Sequence, residues 1–471
     1  FWAHVRFNGD VFEMEDQRNW TDASFKTYST PLRLPYPAEV HAGTVIAQSC
    51  TLTLQGADQA PMLPGDAPLT ITLDPTIERP LPRLGLGVAS HGEPLTPSEV
   101  ERLRALPLAH LRLDLDLAVG IDTPLREAAR QSHALGIPLE IALFLSDHAR
   151  AELEALARNL RRERPEVARW LVFHEDDKAP RGEWVRLARE ILGEYTPRAS
   201  FGGGSNAYFA ELNRARPPRE GFDHVCFAIN PQAHAFDNAS LVESLPAQAV
   251  ALDSARAFLG ATPLVVSPIT LRPRFNANAT GAEPEPAPGT LPPQVDRRQM
   301  ALFGAAWTMG SINYLAAGGA ESATYYETTG WRGVMETESG SALPEQFRSW
   351  PGMVFPLYHV LADVGEFAGG VTLGCRSSDP LRVDGLILRK GRRTRLLIAN
   401  MRDVPCSVLV QGLAAPVARV RSLDEESFER AALQCGDYRR EPGEALPIQD
   451  EAIELTLRPY AMARIDVDGS T

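Results

Sequence analysis

SATYYETTGWRGV, residues 322 to 334, opens as a short strand (Ala323, Thr324, Tyr325, Tyr326) and then delivers one carboxylate, Glu327, into a polar loop holding Thr328, Thr329, Gly330, Trp331 and Arg332. Seven strand–helix units precede it, so the run reads as the eighth strand of a (β/α)8 TIM barrel. Glu327 then stands at the C-terminal end of a barrel strand, where enzymes of this fold keep their chemistry. The competing reading has Glu327 pairing with Arg332 or capping the next helix, as many carboxylates do.

From Arg83 to Gly370 apolar strands alternate with amphipathic helices, the α/β pattern. Strand one spans Leu84 to Val88, and the helix after it runs from Thr96 to Leu106 with Thr96-Pro97 at its cap. The second strand, HLRLDLDL, carries Leu111, Leu113, Leu115 and Leu117 on one face and Arg112, Asp114 and Asp116 on the other. In a barrel the leucines face the helices, so the charges point inward. Glu140, on strand three (Pro138 to Leu145), is placed to neutralise Arg112, and Arg112, Asp114 and Glu140 are expected to support the barrel rather than touch substrate. Strand four, Trp170 to Phe173, ends in His174-Glu175-Asp176-Asp177, and strand five, Ala199 to Phe201, runs into Gly202-Gly203-Gly204-Ser205-Asn206. Strand six, His224 to Ile229, ends in Asn230-Pro231-Gln232-Ala233-His234. Strand seven, Leu264 to Ser267, leads to Arg272, Arg274 and a Pro-rich loop reaching Pro293, a length that points to function or mobility. A helix from Asp296 to Ala317 returns the chain to strand eight, and a last helix spans Pro351 to Phe367.

The flanks have β character. His4 to Phe7 and Val11 to Met14 bracket Asn8-Gly9-Asp10, a hairpin signal, and Gly43 to Leu54 adds a strand or two. So few strands cannot bury a core alone, which makes residues 1–82 the remainder of a β domain followed by a Pro-, Gly- and Asp-rich linker from Ala60 to Pro82. Within it, FEMEDQRNWTDASFKTY (Phe12 to Tyr28) is dense in charges among aromatics. It reads either as an inter-domain salt-bridge network or as a segment leaning over the barrel mouth. Residues 83–370 form the barrel, and residues 371–471 revert to short strands spaced for a C-terminal β-sandwich.

Composition narrows the functions. Sixty acidic residues against 47 basic ones give a net charge of -13 over 471 residues, which argues against nucleic acid and anionic membranes as partners. The five cysteines are scattered, odd in number and never in a CxxC, favouring a reducing cytoplasm over a disulfide framework. Gln299 to Ala320 is free of charge, but its glycines and Thr308, Ser311 and Asn313 mark a buried barrel helix rather than a membrane span. No signal peptide is visible, but the chain begins at Phe1 rather than at Met, so the expectation leaves export open.

Polar residues gather where the strands end. His91 follows strand one, Asp116 ends strand two, His174 and Glu175 end strand four, and Asn206 follows strand five. Asn230, Gln232 and His234 follow strand six, Arg272 strand seven, and Tyr326, Glu327 and Trp331 mark strand eight. Converging on one mouth, they resemble a site that reads several hydroxyl groups. Glu175 and Glu327 are the expected catalytic pair, one kept protonated by burial and the other ionised. His174, Glu175, Asp176 and His234 are acceptable metal ligands, but no HExxH-like spacing accompanies them, and no metal or other cofactor is expected. GxSxG, P-loop and GxGxxG signatures are absent where they would count, and the triple glycine alone is too weak for a phosphate site.

With FEMEDQRNWTDASFKTY, LFGAAWTMGS, INYLAAGG and TYYETTGWRG in view, the chain resembles the D-apionate lactonase family along its whole length. The resemblance implies a β domain, a (β/α)8 barrel and a C-terminal β domain laid out as in barrel glycoside hydrolases, and hydrolysis of D-apionolactone to D-apionate. It carries no catalytic assignment, and the N-terminal β part here is shorter than that layout. Retaining glycosidases of this layout place glutamates after strands four and seven. Glu175 matches the first, whereas Val265-Val266-Ser267-Pro268 offers no carboxylate for the second. Strands four and eight face each other across a barrel, too far apart for the roughly 5 Å of a retaining pair, which favours attack by water. The expectation is a sugar-lactone hydrolase; a barrel glycoside hydrolase and a non-catalytic carbohydrate-binding protein are the alternatives.

Overall fold

The structure, a computed structural model, describes residues 2–31, 33–35, 37–56, 69–175, 181–276 and 286–468. Four strands come first: β1 (Trp2–Asn8), β2 (Glu13–Asp16), β3 (Phe25–Tyr28) and β4 (Ser49–Gln55). The Asn8-Gly9-Asp10 turn does not close the expected hairpin, because β1 pairs with β4 and β2 with β3 in two separate two-stranded sheets. Cross-strand partners far along the chain outcompete the local turn. β5 (Leu69–Pro80) corrects the linker reading. Its Leu69 and Ile71 are buried, and it runs between two strands of the C-terminal sheet, so this part of 1–82 belongs to the last domain. The rest of that linker up to residue 68 lies outside the described residues.

The barrel follows: β6 (Arg83–Gly87), β7 (His110–Asp116), β8 (Leu139–Leu145), β9 (Val167–His174), β10 (Ser200–Tyr208), β11 (Val225–Ile229), β12 (Leu264–Ile269) and β13 (Ser322–Glu327). All pair in parallel, and β13 closes on β6. The helices are α1 (Pro97–Arg104), α2 (Asp122–Leu135), α3 (Ala149–Glu163), α4 (Gly182–Leu192), α5 (Phe209–Ala215), α6 (Asn238–Glu243), α7 (Leu245–Leu259), α8 (Leu302–Ala317) and α9 (Pro356–Gly365). Thr96 caps α1 in a capping box: its hydroxyl accepts from Glu99 N, and the Glu99 carboxylate accepts from Thr96 N. β10 is longer than expected, because the triple glycine lies inside the strand. A Cβ on Gly202 or Gly204 would collide with the backbone oxygens of His224 or Cys226 on the neighbouring strand. The glycines are there for close packing.

The alternation in β7 holds. Leu111, Leu113 and Leu115 join the core beneath the helices, while His110, Arg112 and Asp114 turn inward. Glu140, with no exposed surface, accepts hydrogen bonds from Arg169 Nη1 (2.9 Å), Ser267 Oγ (2.5 Å) and Thr324 Oγ1 (3.1 Å), and His110 Nε2 lies 3.7 Å away. Arg112 Nη1 donates to the same Ser267 hydroxyl at 2.9 Å. Ala142, Leu171, Phe173, Cys226 and Val265 form a separate apolar cluster inside the barrel.

Eight strands complete the chain: β14 (Val371–Ser377), β15 (Val383–Lys390), β16 (Arg393–Asn400), β17 (Cys406–Gln411), β18 (Val417–Leu423), β19 (Glu444–Pro447), β20 (Ala452–Leu457) and β21 (Met462–Asp468), with α10 (Phe428–Leu433) and α11 (Cys435–Arg440) between β18 and β19. With β5 they form a nine-stranded sheet whose Ile387, Ile398, Val408 and Ile453 meet in one core, as a sandwich requires. The opposite face of β15 and β16, through Leu386, Leu388 and Leu397, joins the barrel core. α8 is buried almost all round between β13, α7, α9 and this sheet, which explains why its sequence carries no charge. The junction is also ionic: Asp363 on α9 sits 2.9 Å from Arg439, 3.0 Å from Arg464, 3.5 Å from Arg421 and 3.6 Å from Arg395.

Two stability predictions follow from these buried charges. Glu140→Gln removes the buried carboxylate that Arg169 pairs with at 2.9 Å and is expected to cost about 3–5 kcal/mol in urea denaturation; an unchanged midpoint would show that the cluster is solvated. Acid is expected to destabilise the protein in two stages. Burial pulls His110 down to about 4 and His224 and His359 to about 3, so the unfolded chain binds protons first and stability falls as pH drops below 6.5. Burial raises the Glu140 carboxyl, but His110, Arg169 and Arg112 hold it at about 2, so its contribution is complete above pH 4.5 and is lost between 4.5 and 2. Asp384, pushed up to about 6 by burial, opposes the first stage as a single group against three histidines. A melting temperature that rises on acidification from pH 7 to pH 5 would contradict this account.

Candidate active site

A cavity of about 570 Å³ opens at the C-terminal end of the barrel. β13 supplies its central carboxylate through an irregularity. Thr324 points into the barrel toward Glu140 and His110, and Tyr325 points out, its hydroxyl 2.8 Å from Ser311 on α8. Regular alternation would turn Tyr326 inward and Glu327 outward. Instead the register slips between Tyr325 and Glu327, and Tyr326 adopts φ 46°. The Tyr326 hydroxyl therefore also reaches α8, 2.8 Å from Thr308, and Glu327 swings into the cavity. Such a bulge re-aims a side chain at some backbone cost, and bulges and strain of this kind concentrate at functional sites.

Both Glu327 oxygens are engaged. Oε1 lies 2.7 Å from Arg332 Nη2, and Oε2 accepts from Ser90 N and Oγ, each at 2.9 Å. Pairing with Arg332, set against a site role in the sequence reading, accompanies placement in the cavity. Across the mouth Asp114, 42% exposed at its side chain, bonds Arg112 Nε at 2.7 Å and Arg274 Nη1 at 3.1 Å. Burial pushes the Asp114 carboxyl up, but the two guanidiniums outweigh it and hold it below the ordinary value. Asn206 Oδ1 accepts from Arg112 (3.1 Å) and from Arg274 (2.8 Å). Arg274, lowered to about 10 by burial and by Arg112, stays charged at neutral pH. The mouth is thus a lattice of carboxylates and guanidiniums with a charge of either sign within reach of a polyhydroxy ligand. Arg112 and Asp114, expected to be purely structural, line it. Ser90, Glu127, Arg274 and Arg332 are further lining residues that the sequence reading did not assign to the site. For Asp114 the signal was present, since the alternation of HLRLDLDL turns it inward just below the rim residue Asp116.

The other expected site residues disperse. In β9 Arg169, Leu171 and Phe173 face inward, so His174 shares the outward face of Trp170 and Val172; it is buried, stacked on Trp184 of α4 at 4.3 Å. Glu175 is exposed beyond the end of β9 and does not line the cavity. The expected Glu175–Glu327 pair is therefore not brought together in the cavity. Asp176 and Asp177 lie outside the described residues. Asp116 accepts from Ala118 N, holding a turn at the rim. His91 Nε2 lies 2.9 Å from Thr329 Oγ1, and Trp331 Nε1 donates to Ser341, so both brace the loop after Glu327. Gln232 is buried against Asp296 and Arg298. Asn230, Gln232, His234 and Arg272 come together in a neighbouring pocket of about 410 Å³ with Trp20. Among the described residues no three His, Cys, Asp or Glu side chains converge as metal ligands.

The Arg and Lys ion pairs of Phe12–Tyr28, such as Arg18–Asp16 at 2.6 Å, stay within the N-terminal segment. The segment meets the barrel instead through Thr21 Oγ1 donating to Asn230 O (2.8 Å), Asn213 Nδ2 donating to Asn19 Oδ1 (3.0 Å) and His234 Nδ1 beside Asp22 (3.1 Å).

Comparison with known proteins matches this architecture part by part. The description "D-apionate lactonase, TIM barrel domain" fits residues 84–369, its N-terminal domain fits 1–57 and its C-terminal immunoglobulin-like domain fits 380–465. A protein named D-apionate lactonase from Brucella anthropi is 31% identical over 291 residues, which is 58% of this chain but only 47% of that protein; the match spans about half the relative's length. Solved structures share the fold at low identity. A family 51 α-L-arabinofuranosidase from Bifidobacterium longum has a TM-score of 0.55 at 13% identity, and a GH30 endoxylanase from Clostridium papyrosolvens 0.53 at 10%; each comparison covers 86% of this chain and 100% of the other. The glycosidase-like layout is therefore a likeness of fold, whereas the sequence match is specific: the chain belongs to the D-apionate lactonase family.

Proposed function

We infer that this chain is a hydrolase that opens a sugar lactone, D-apionolactone to D-apionate, as part of apiose catabolism. The observation that carries the reading is the Glu327 carboxylate, turned into the cavity by a bulge and held there by Arg332 and Ser90. Its relative's name supplies the substrate.

In this reading the lactone carbonyl sits between Glu327 and the guanidiniums. Glu327 takes a proton from water as the water oxygen bonds to the carbonyl carbon. Negative charge builds on the carbonyl oxygen, and Arg274, Arg332 or the Asn206 amide stabilises it; one such donor is worth about 3 kcal/mol. Collapse breaks the bond from the carbonyl carbon to the ring oxygen. Glu327, now protonated, returns its proton to the departing alkoxide, so one carboxylate serves both steps and Glu175 has no part. The hydroxy acid formed ionises and releases one proton. The five free cysteines support a reducing cytoplasm as the site of action.

A pH-indicator screen of aldonolactones alongside aryl glycosides tests the reading, with acid release expected from lactones alone; cleavage of the glycosides would make the protein a glycosidase. Glu327→Gln keeps the shape and removes the base, so turnover is expected to fall roughly 10²-fold or more with the circular dichroism spectrum unchanged. Near-normal turnover would remove Glu327 from the chemistry. Activity is expected to survive dialysis against a strong chelator. Loss restored by a divalent ion would overturn the metal-free reading.

A further inference from the structure

The pocket beside the catalytic cavity is built like a place for a sugar ring, and no role has been assigned to it. It measures about 410 Å³ and shares Phe275 with the 570 Å³ cavity. At the shared wall Asn206 and Arg274 line the catalytic cavity, while Tyr208 and Arg272, two residues away on each strand or loop, line the second pocket; in β10 the register shifts between Gly204 and Tyr208, so the usual alternation does not hold there. Either space alone falls in the usual range for a small-molecule site, about 300–1,000 Å³. A single lactone ring occupies the first and leaves the second empty.

The lining combines apolar faces with isolated polar groups, the composition that sugar rings require: C–H faces against aromatics, hydroxyls against fixed donors and acceptors. Trp20 and Phe236 contribute the former, and Phe236 is 58% exposed although it lies beside a built pocket. Trp20 is held in place from both sides, edge-to-face with His234 at 5.7 Å and beneath the Arg214 guanidinium at 5.2 Å. Glu211 contributes the latter. It is 98% buried, its Oε2 accepts from Tyr208 N, and its Oε1 has no hydrogen-bond donor, with Arg214 Nη1 3.6 Å away. A buried carboxylate oxygen without a donor is costly, and a ligand hydroxyl removes that cost. Asp22 and His234, 3.1 Å apart, fix the N-terminal turn that carries Trp20 against the barrel, so the docked N-terminal segment supplies the Trp20 side of the pocket.

We propose that this pocket is a second sugar subsite, so that the substrates include lactones bearing a further sugar ring. The proposal rests on the lactonase reading for what lies in the first cavity, and its test separates the two. Cellobiono-1,5-lactone and D-glucono-1,5-lactone differ only by one glucosyl ring. In the Glu327→Gln protein, where turnover is suppressed, calorimetric titration is expected to show the two-ring lactone binding at least 10-fold tighter. Phe236→Ala and Glu211→Gln, each added to that background, are expected to abolish the difference while leaving the one-ring affinity within 2-fold. Equal affinities, no binding of either probe, or a preference that survives both substitutions overturns the subsite. Turnover of simple lactones without a two-ring preference sinks the subsite alone. A two-ring preference in a protein that hydrolyses no lactone sinks the lactonase reading and keeps the subsite.

Discussion

Everything at the working end of this protein depends on one carboxylate buried inside its barrel. Glu140 ties β8 to β9 through Arg169, to β12 through Ser267 and to β13 through Thr324, and Arg112 of β7 joins through the same serine. In a low-dielectric interior, ions survive only with close partners, so these strands are held to a register in which the partners meet. That register sets the height at which Asp114, Asn206 and Glu327 emerge. Gly85 and Gly202 make room for the ring of His110 and for His224, because a Cβ at either would collide with its neighbour.

Above this network the site is preorganised by opposite charges rather than by packing. Each carboxylate of the Glu327 and Asp114 pair already has a guanidinium partner, and Asn206 bridges the two arginines on the Asp114 side. Such a lattice holds its donors in position before a ligand arrives, which is what stabilisation of a developing oxyanion requires. Of the carboxylates at the mouth, Glu327 comes from the eighth strand and Asp114 from the second, while strand seven carries Ser267 and Pro268 and no carboxylate.

The junctions repeat the principle. The C-terminal sheet is anchored by Asp363 among four arginines, while the N-terminal segment is anchored by a few neutral or singly charged contacts around Trp20. The first kind of interface is costly to open, and the second much less so. The pocket beside the active site is walled by the weaker of the two.

The order of the barrel was legible in the chain because period-two alternation and strand–helix spacing are local: HLRLDLDL by itself set which side of β7 faces inward, and the charge-free run from Gln299 to Ala320 marked a helix covered on all sides. Glu327 was legible as a carboxylate at the end of a closing strand. Its orientation was not, because the slip at Tyr326 breaks the very alternation that a reader of sequence relies on. The same rule, kept in β9 from Arg169 onward, sends His174 outward, yet a histidine at a strand end looks alike in either direction. β5 was hidden because its strand partners lie some 300 residues away, among them Arg376 opposite Thr72. Residue type and spacing decide which elements form; which groups meet is decided by strand register, bulges and long-range pairing, since these depend on contacts that no local stretch contains.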